Sequence, residues 1–274
     1  LIYWNKKKEK RKEGKMGSAT MHTTVFFDVD DTLYDHLLPF RKAIQGLTSD
    51  RPDFPFEEAY HRLRYYSDKL SLELGGAGAM EAEAATEGMR RRRFQLTLAE
   101  FGIQLSDEEA AEVQAAYIGC QYDIEMFPGA RELLAELTAS GIAVGLITNG
   151  AGDHQRRKIE AMRLEEFVSP ERIFISGETG WDKPDIRLFR HINVATGTTP
   201  EQCVYVGDSW RNDVVGALGA GWTVVWFNYR GAQPESDDQS HHIVADYREL
   251  ADLLMELMAA FKMSRTRLDQ TVKL

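Results

Sequence analysis

The chain has 274 residues, 43% of them hydrophobic, which is enough to bury one large core or two modest ones, and its formal charge is −10. That charge is uneven: residues 1–16 hold seven Lys or Arg against two Glu, so the head is +5 and the remaining chain −15. The acidic body excludes a broad nucleic-acid surface, Cys120 and Cys203 supply neither a disulfide framework nor metal-ligand spacing, and no run approaches the roughly 18 apolar residues of a membrane span.

Residues 1–20 lack apolar periodicity and the apolar centre of a secretion signal, so they are expected to be a disordered leader or an expression remnant. A cytoplasmic protein without nucleic-acid or membrane partners is the resulting expectation. The first strand follows as "TTVFF", ending at Asp28. Residues 39–126 have little strand character. Segments such as "FEEAYHRLRYYSDKLSLEL" and "SDEEAAEVQAAYIGCQY" instead repeat apolar residues at helical spacing, which predicts a helical cap inserted after the first strand.

After "ARELLAELTAS", apolar runs and helical patterns alternate. "IAVGLIT" ends at Asn149, "RIFIS" at Gly177, "CVYVG" at Asp208 and "TVVWF" at Asn228, with helices expected over 153–164, 185–195 and 213–221. This alternation predicts an α/β fold, a Rossmann-like parallel sheet with helices on both faces, built from 21–38 and 127–260. A short strand and a closing helix complete it, and 261–274 reads as a tail.

The candidate chemistry lies where these strands end. Asp28 and Asp30 leave the first strand together, able either to hold a hard cation with Asp28 free to attack an electrophile, or to accept backbone N–H groups in a turn. "GDSWRND" adds Asp208 directly after a strand, and Asp213, which could ligate through water, hold Lys183 or cap the next helix. Carboxylates converging this closely require a cation, for which Mg²⁺ is expected. Thr148 and Asn149 in "ITNG", with Lys183 in "WDKP", are suited to an anion, and Pro184 is expected to open a helix.

The motifs DVDDT at 28–32, ITNG at 147–150, WDKP around Lys183 and GDSWRND at 207–213 closely resemble the haloacid dehalogenase-like hydrolase superfamily, in particular its phosphatases with a helical cap. The resemblance covers about residues 23–250. It implies that Asp28 is the phosphoryl-accepting nucleophile and Asp30 the general acid and base, with the Asp30 backbone carbonyl also touching the metal. It further implies that Thr148 and Lys183 bind phosphate and that Asp208 and Asp213 form the acidic metal motif. An acid at Asp30 favours phosphate ester hydrolysis over halide release, which needs no proton.

The cap sequence resembles, more loosely, those of nucleoside monophosphate phosphatases, especially pyrimidine nucleotidases, and of phosphoglycolate and sugar phosphatases. The expected function is therefore Mg²⁺-dependent hydrolysis of a small phosphorylated metabolite, led by a nucleoside monophosphate, with phosphoglycolate or a sugar phosphate as the alternative. A noncatalytic binding protein on the same fold is the further alternative. Arg90 to Arg93 span all sides of a helix turn, so one or two can face a substrate, and Arg90, Arg93 and His36 are the candidate contacts. Tyr65, Tyr66, Phe94 and Phe101 fit a helix core more readily than a stacking platform. Monomer and homodimer both stay open.

Overall fold

The computed structural model describes residues 23–75, 83–238 and 242–271; the leader expected over 1–20 lies outside them. Its sheet comprises β1 (Thr24–Phe27), β2 (Ala143–Thr148), β3 (Ile173–Ile175), β4 (Cys203–Gly207), β5 (Thr223–Phe227) and β6 (His242–Val244). All neighbours are parallel, in the order β3-β2-β1-β4-β5-β6. The order reverses at β1 and β4, and it is beyond the carboxyl ends of such strands that α/β sheets bind ligands.

The strands read as continuous apolar runs because both faces are covered. Val25 and Phe27 join a cluster with Leu133, Ile159 and Leu250, beneath α5 (Ala130–Ala139), α6 (Gly152–Ala161) and α10 (Tyr247–Thr271). Phe26 points the other way, to Phe189, Tyr205 and Trp222, beneath α8 (Ile186–Thr196) and the short α9 (Gly216–Gly219). Phe26 pairs in register with Gly145, where a Cβ would lie 2.4 Å from the Phe26 ring; the glycine is what lets β1 and β2 lie side by side here.

The inserted cap is all-helical: α1 (Leu37–Ile44), α2 (Phe56–Glu73), α3 (Glu83–Glu100) and α4 (Asp107–Cys120). Its own core gathers Phe40, Tyr60, Leu63, Phe94, Leu98 and Tyr117, with Phe101 packed against it. A reciprocal pair starts α4, with the Ser106 hydroxyl accepting from Glu109 N and the Glu109 carboxylate from Ser106 N.

Three local expectations change. β3 is followed at once by the single turn α7 (Ser176–Thr179), and the helix expected over 213–221 is a π-helical turn, Trp210–Val215, continued by α9. Pro184 does not open α8: the Lys183–Pro184 peptide is cis and Asp185 caps the helix, its carboxylate accepting from Arg187 N at 2.9 Å. The backbone of the segment read as a tail continues α10 to Thr271. Among the described residues no helix is long and apolar enough to cross a membrane.

Candidate active site

β1 and β4 are adjacent, so the residues that follow them meet. Asp28 N donates to Val206 O at 2.9 Å, extending the ladder by one bond and setting the Asp28 side chain beside Asp208. Carboxylate oxygens of Asp28, Asp208 and Asp213 lie within 4.8 Å of one another. The compensating charge inside the protein is Lys183, 4% exposed, whose Nζ donates to Asp28 Oδ1 at 2.5 Å, Asp213 Oδ1 at 2.7 Å and the Tyr205 hydroxyl at 2.9 Å. Burial alone would lower the Lys183 pKa; Asp213 and Asp28 reverse that and keep it protonated.

Asp213 is fully engaged. Oδ1 accepts from Lys183 and Tyr205, and Oδ2 accepts from Ser209 N at 2.9 Å. The π-helical turn brings it back against Gly207, where a Cβ would sit 2.4 Å from the Asp213 carboxylate carbon, so only glycine admits this approach. Asp28 and Asp208 are less satisfied: among the described residues, Asp28 Oδ2 and Asp208 Oδ1 each have only a 3.5 Å contact with the Thr32 hydroxyl. Burial, with the other carboxylates, pushes Asp28 up to about 7 against the pull of Lys183, and burial also raises Asp208 well above its ordinary value. Two hard oxygen donors with unsatisfied lone pairs and a surplus of negative charge fit a divalent cation.

Asp30 faces a different set of partners. Lys158 Nζ donates to both of its oxygens at 2.8 and 2.9 Å, Tyr34 OH to Oδ1 at 2.6 Å and Gln155 Nε2 to Oδ2 at 3.1 Å. Burial would raise the Asp30 pKa, but Lys158 first, with His36 and the Tyr34 hydroxyl, holds it well below the usual carboxylate range, so this arrangement is the base form. The Asn149 side chain clamps the Lys183 backbone, accepting from Lys183 N at 2.8 Å and donating to Lys183 O at 3.0 Å. Thr148 ends β2 beneath this loop, 1% exposed.

Between these strand ends and the cap lies a cavity of about 520 Å³, with Asp30, Asn149 and Lys183 on its floor and Arg90, Arg93 and Tyr117 on its roof. His36 lines it as well; its Nε2 bonds the Tyr117 hydroxyl at 2.7 Å, and burial depresses its pKa to about 3. The structure thus brings together Asp28, Asp208, Asp213 and Lys183 directly, and Asp30, Asn149, His36, Arg90 and Arg93 around the cavity. Phe94 is wholly buried in the cap core, while Tyr66 bonds Glu100 at the surface.

Sequence reasoning missed Tyr205, Lys158, Gln155, Tyr34 and the hub at Asp31. Gln155 and Lys158 stand three apart on α6, directly after the TNG loop, a spacing that aims both at the same strand end. Asp31 has a left-handed φ of 60° and accepts from Tyr60 OH at 2.5 Å and Arg64 at 3.0 Å in the cap, and from Tyr229 OH at 3.0 Å and Arg230 at 3.2 Å in the core.

The family model for haloacid dehalogenase-like hydrolases matches residues 22–221, and the chain belongs to this family. It is an enzyme of that hydrolase and phosphatase family. Among curated relatives, it is 39% identical to phosphoserine phosphatase from Thermus thermophilus, over 82% of this chain and 96% of the relative. It is 28% identical to glyceraldehyde 3-phosphate phosphatase from Pyrococcus furiosus, covering 84% and 88%, and 27% identical to N-acylneuraminate-9-phosphatase from Mus musculus, covering 88% and 96%. The fold resembles the magnesium-bound hydrolase YfnB from Bacillus subtilis, with a TM-score of 0.64 at 22% identity over 85% of this chain and 99% of that one.

Proposed function

We propose that this chain is a cytoplasmic Mg²⁺-dependent phosphomonoesterase that acts on a small phosphorylated acid or sugar through an aspartyl phosphate on Asp28. The observation that carries this reading is the buried Asp28: Lys183 holds one oxygen at 2.5 Å, while the other has only the 3.5 Å Thr32 contact. That second oxygen attacks phosphorus, the bond from phosphorus to the ester oxygen breaks, and the departing alkoxide takes a proton from Asp30 in its acid form. Water then attacks the aspartyl phosphate, losing its proton to Asp30 and releasing phosphate with Asp28 restored.

Asp28, Asp208 and the Asp30 carbonyl are the proposed metal ligands. Bound there, Mg²⁺ would neutralise the phosphate dianion against the carboxylates and orient it for in-line attack. We assign Asp213 to positioning Lys183, since both Asp213 oxygens already have partners. Lys183, Thr148 and the backbone around Asn149 and Gly150 bind the phosphoryl oxygens, with Lys183 gaining strength as charge develops on them. Because Asp30 is held as a base by Lys158, its acid form requires that contact to loosen.

The relatives named above carry names for amino-acid, triose and sugar-acid phosphates, which supports the alternative sequence reading over a nucleoside monophosphate. The test is phosphate release from phosphoserine, phosphoglycolate, sugar phosphates and nucleoside monophosphates, with Mg²⁺ or EDTA, for wild type and Asp28→Asn. Metal-dependent release, lost in the variant by at least about 1,000-fold, is expected. Equal release by both proteins would overturn the mechanism.

A further inference from the structure

The two guanidinium groups of the cavity roof have different surroundings. Arg90 and Arg93 stand one turn apart on α3, and Arg90 has an acid of its own helix, Glu87, at 3.4 Å. Among the described residues no carboxylate pairs with Arg93. Its Nη1 donates to the Ser67 hydroxyl at 3.2 Å, its Nη2 to the Gln114 side-chain oxygen at 3.1 Å, and its buried Nε has no partner. The rings of Phe94 and Tyr117 lie 5.3 and 5.2 Å from the guanidinium carbon.

A half-buried guanidinium met only by neutral acceptors is costly to keep there, and an anion delivered by a ligand relieves that cost. Burial, together with the neighbouring Arg90, pushes the Arg93 pKa below its ordinary value, the direction expected of a cation without an acid. Gln114 is 3% exposed and Tyr117 1%, so packing fixes both the amide and the ring against which the guanidinium lies. Asp68, an acid in the same cavity, has its charge offset by Arg64, Arg211 and Asn212, although burial still raises its pKa.

The geometry points to Arg93, held by Ser67 and Gln114, as a subsite for a carboxylate on the part of the substrate remote from the phosphate. This rests on the phosphatase reading and names its substrate class: phosphomonoesters of hydroxy or amino acids. A carboxylate suits the site better than a second phosphate, because a planar fork matches it in two parallel bonds and a single charge balances a single guanidinium.

O-Phosphoserine and phosphoethanolamine differ only in the carboxylate, so the ratio of their kcat/KM values isolates the subsite. Wild type is expected to prefer phosphoserine by about 10- to 100-fold, the range of a charge-assisted pair. Arg93→Met should bring the ratio near one. Gln114→Glu should do so as well while retaining the guanidinium, because a carboxylate in place of the amide gives Arg93 an internal acid and removes its need of the ligand's; it guards against a fold effect of losing Arg93. A ratio unchanged in both variants would overturn the subsite.

Calorimetric titration of the two esters into Asp28→Asn, with and without Arg93→Met, separates this inference from the phosphatase reading. Tighter phosphoserine binding that depends on Arg93, in a protein whose wild type releases no phosphate, would keep the subsite and sink the reaction. Equal affinity for the two esters, or binding of neither, would sink the subsite.

Discussion

Lys183 and Arg93 are both cations drawn into the same cavity, one on its floor and one on its roof, and their partners differ in kind. Lys183 meets two carboxylates and a phenol, all supplied by the sheet and its loops. Arg93 meets a hydroxyl, an amide and two rings, all supplied by the cap. The floor pairs its ammonium with carboxylates before any ligand arrives, keeps a surplus of negative charge that fits a divalent cation, and can address the phosphate that every substrate shares. The roof keeps a charge in reserve, which is where one substrate can be told from another. On the proposal above, reaction and selection are carried by different units of one chain.

Removing the floor's cation should break the comparison most severely. In Lys183→Met, Asp28 and Asp213 face each other without the ammonium that holds them, a buried pair broken from one side, which costs about 3–5 kcal/mol in metal-free protein. Urea unfolding in EDTA measures that loss. Phosphate release in saturating Mg²⁺ should fall by about 100- to 1,000-fold, since a donor to the developing charge is gone. A roof substitution such as Arg93→Met should leave metal-free stability closer to wild type. A Lys183→Met protein as stable as wild type would mean that the ammonium is not what holds Asp28 and Asp213 together.

The floor was largely legible in the sequence because strand ends are locally marked: an apolar run stops at a polar residue, and parallel topology then gathers those stops along one edge. Asp28, Asn149 and Asp208 could be picked out this way, while Lys183, which lies beyond β3 and α7, was marked instead by the proline that follows it. Tyr205 could not, since a tyrosine inside "CVYVG" reads as strand filler and only the approach of Lys183 and Asp213 gives its hydroxyl a task. Lys158, one residue of a helical pattern, carried no signal of its own; at 1% exposed it is a buried partner of Asp30. The cap was legible as helices over the strand ends, but not which of its residues face the cavity. Which of Arg90 to Arg93 enters the cavity depends on how α3 packs on α2 and α4, a tertiary matter that no local pattern encodes. The helix expected at 213 became a π-helical turn, which holds Asp213 against Gly207.

A finer cut within the floor is Tyr205→Phe. The ring stays, with its contacts to Phe189 and Trp222, while the hydroxyl that accepts from Lys183 and donates to Asp213 is lost. A hydroxyl bonded to an ammonium and a carboxylate is worth about 1.5–3 kcal/mol, so kcat/KM should fall about 10- to 100-fold with little change in KM. A loss as large as that of Lys183→Met would show that Tyr205, rather than the two carboxylates, fixes the ammonium.

The smallest expected effect sharpens the boundary between floor and roof, where His36 sits. Burial depresses its pKa to about 3; Asp30 and Asp31 oppose this, and Lys158 and Arg64 reinforce it, so the folded protein keeps the ring neutral where the unfolded chain, near 6.5, does not. Between those values the unfolded state binds the extra proton, so this residue's contribution to stability is present above about pH 6.5 and drains as the pH falls toward 3. Each unit well inside that window costs at most about 1.4 kcal/mol. His36→Gln keeps a polar partner for Tyr117 and removes the titration, so the difference in unfolding free energy between pH 7 and pH 5 should shrink by about 1–2 kcal/mol relative to wild type. An unchanged pH slope would mean that the ring takes up its proton in the folded protein, and that the seam between cap and core is open enough to hydrate it.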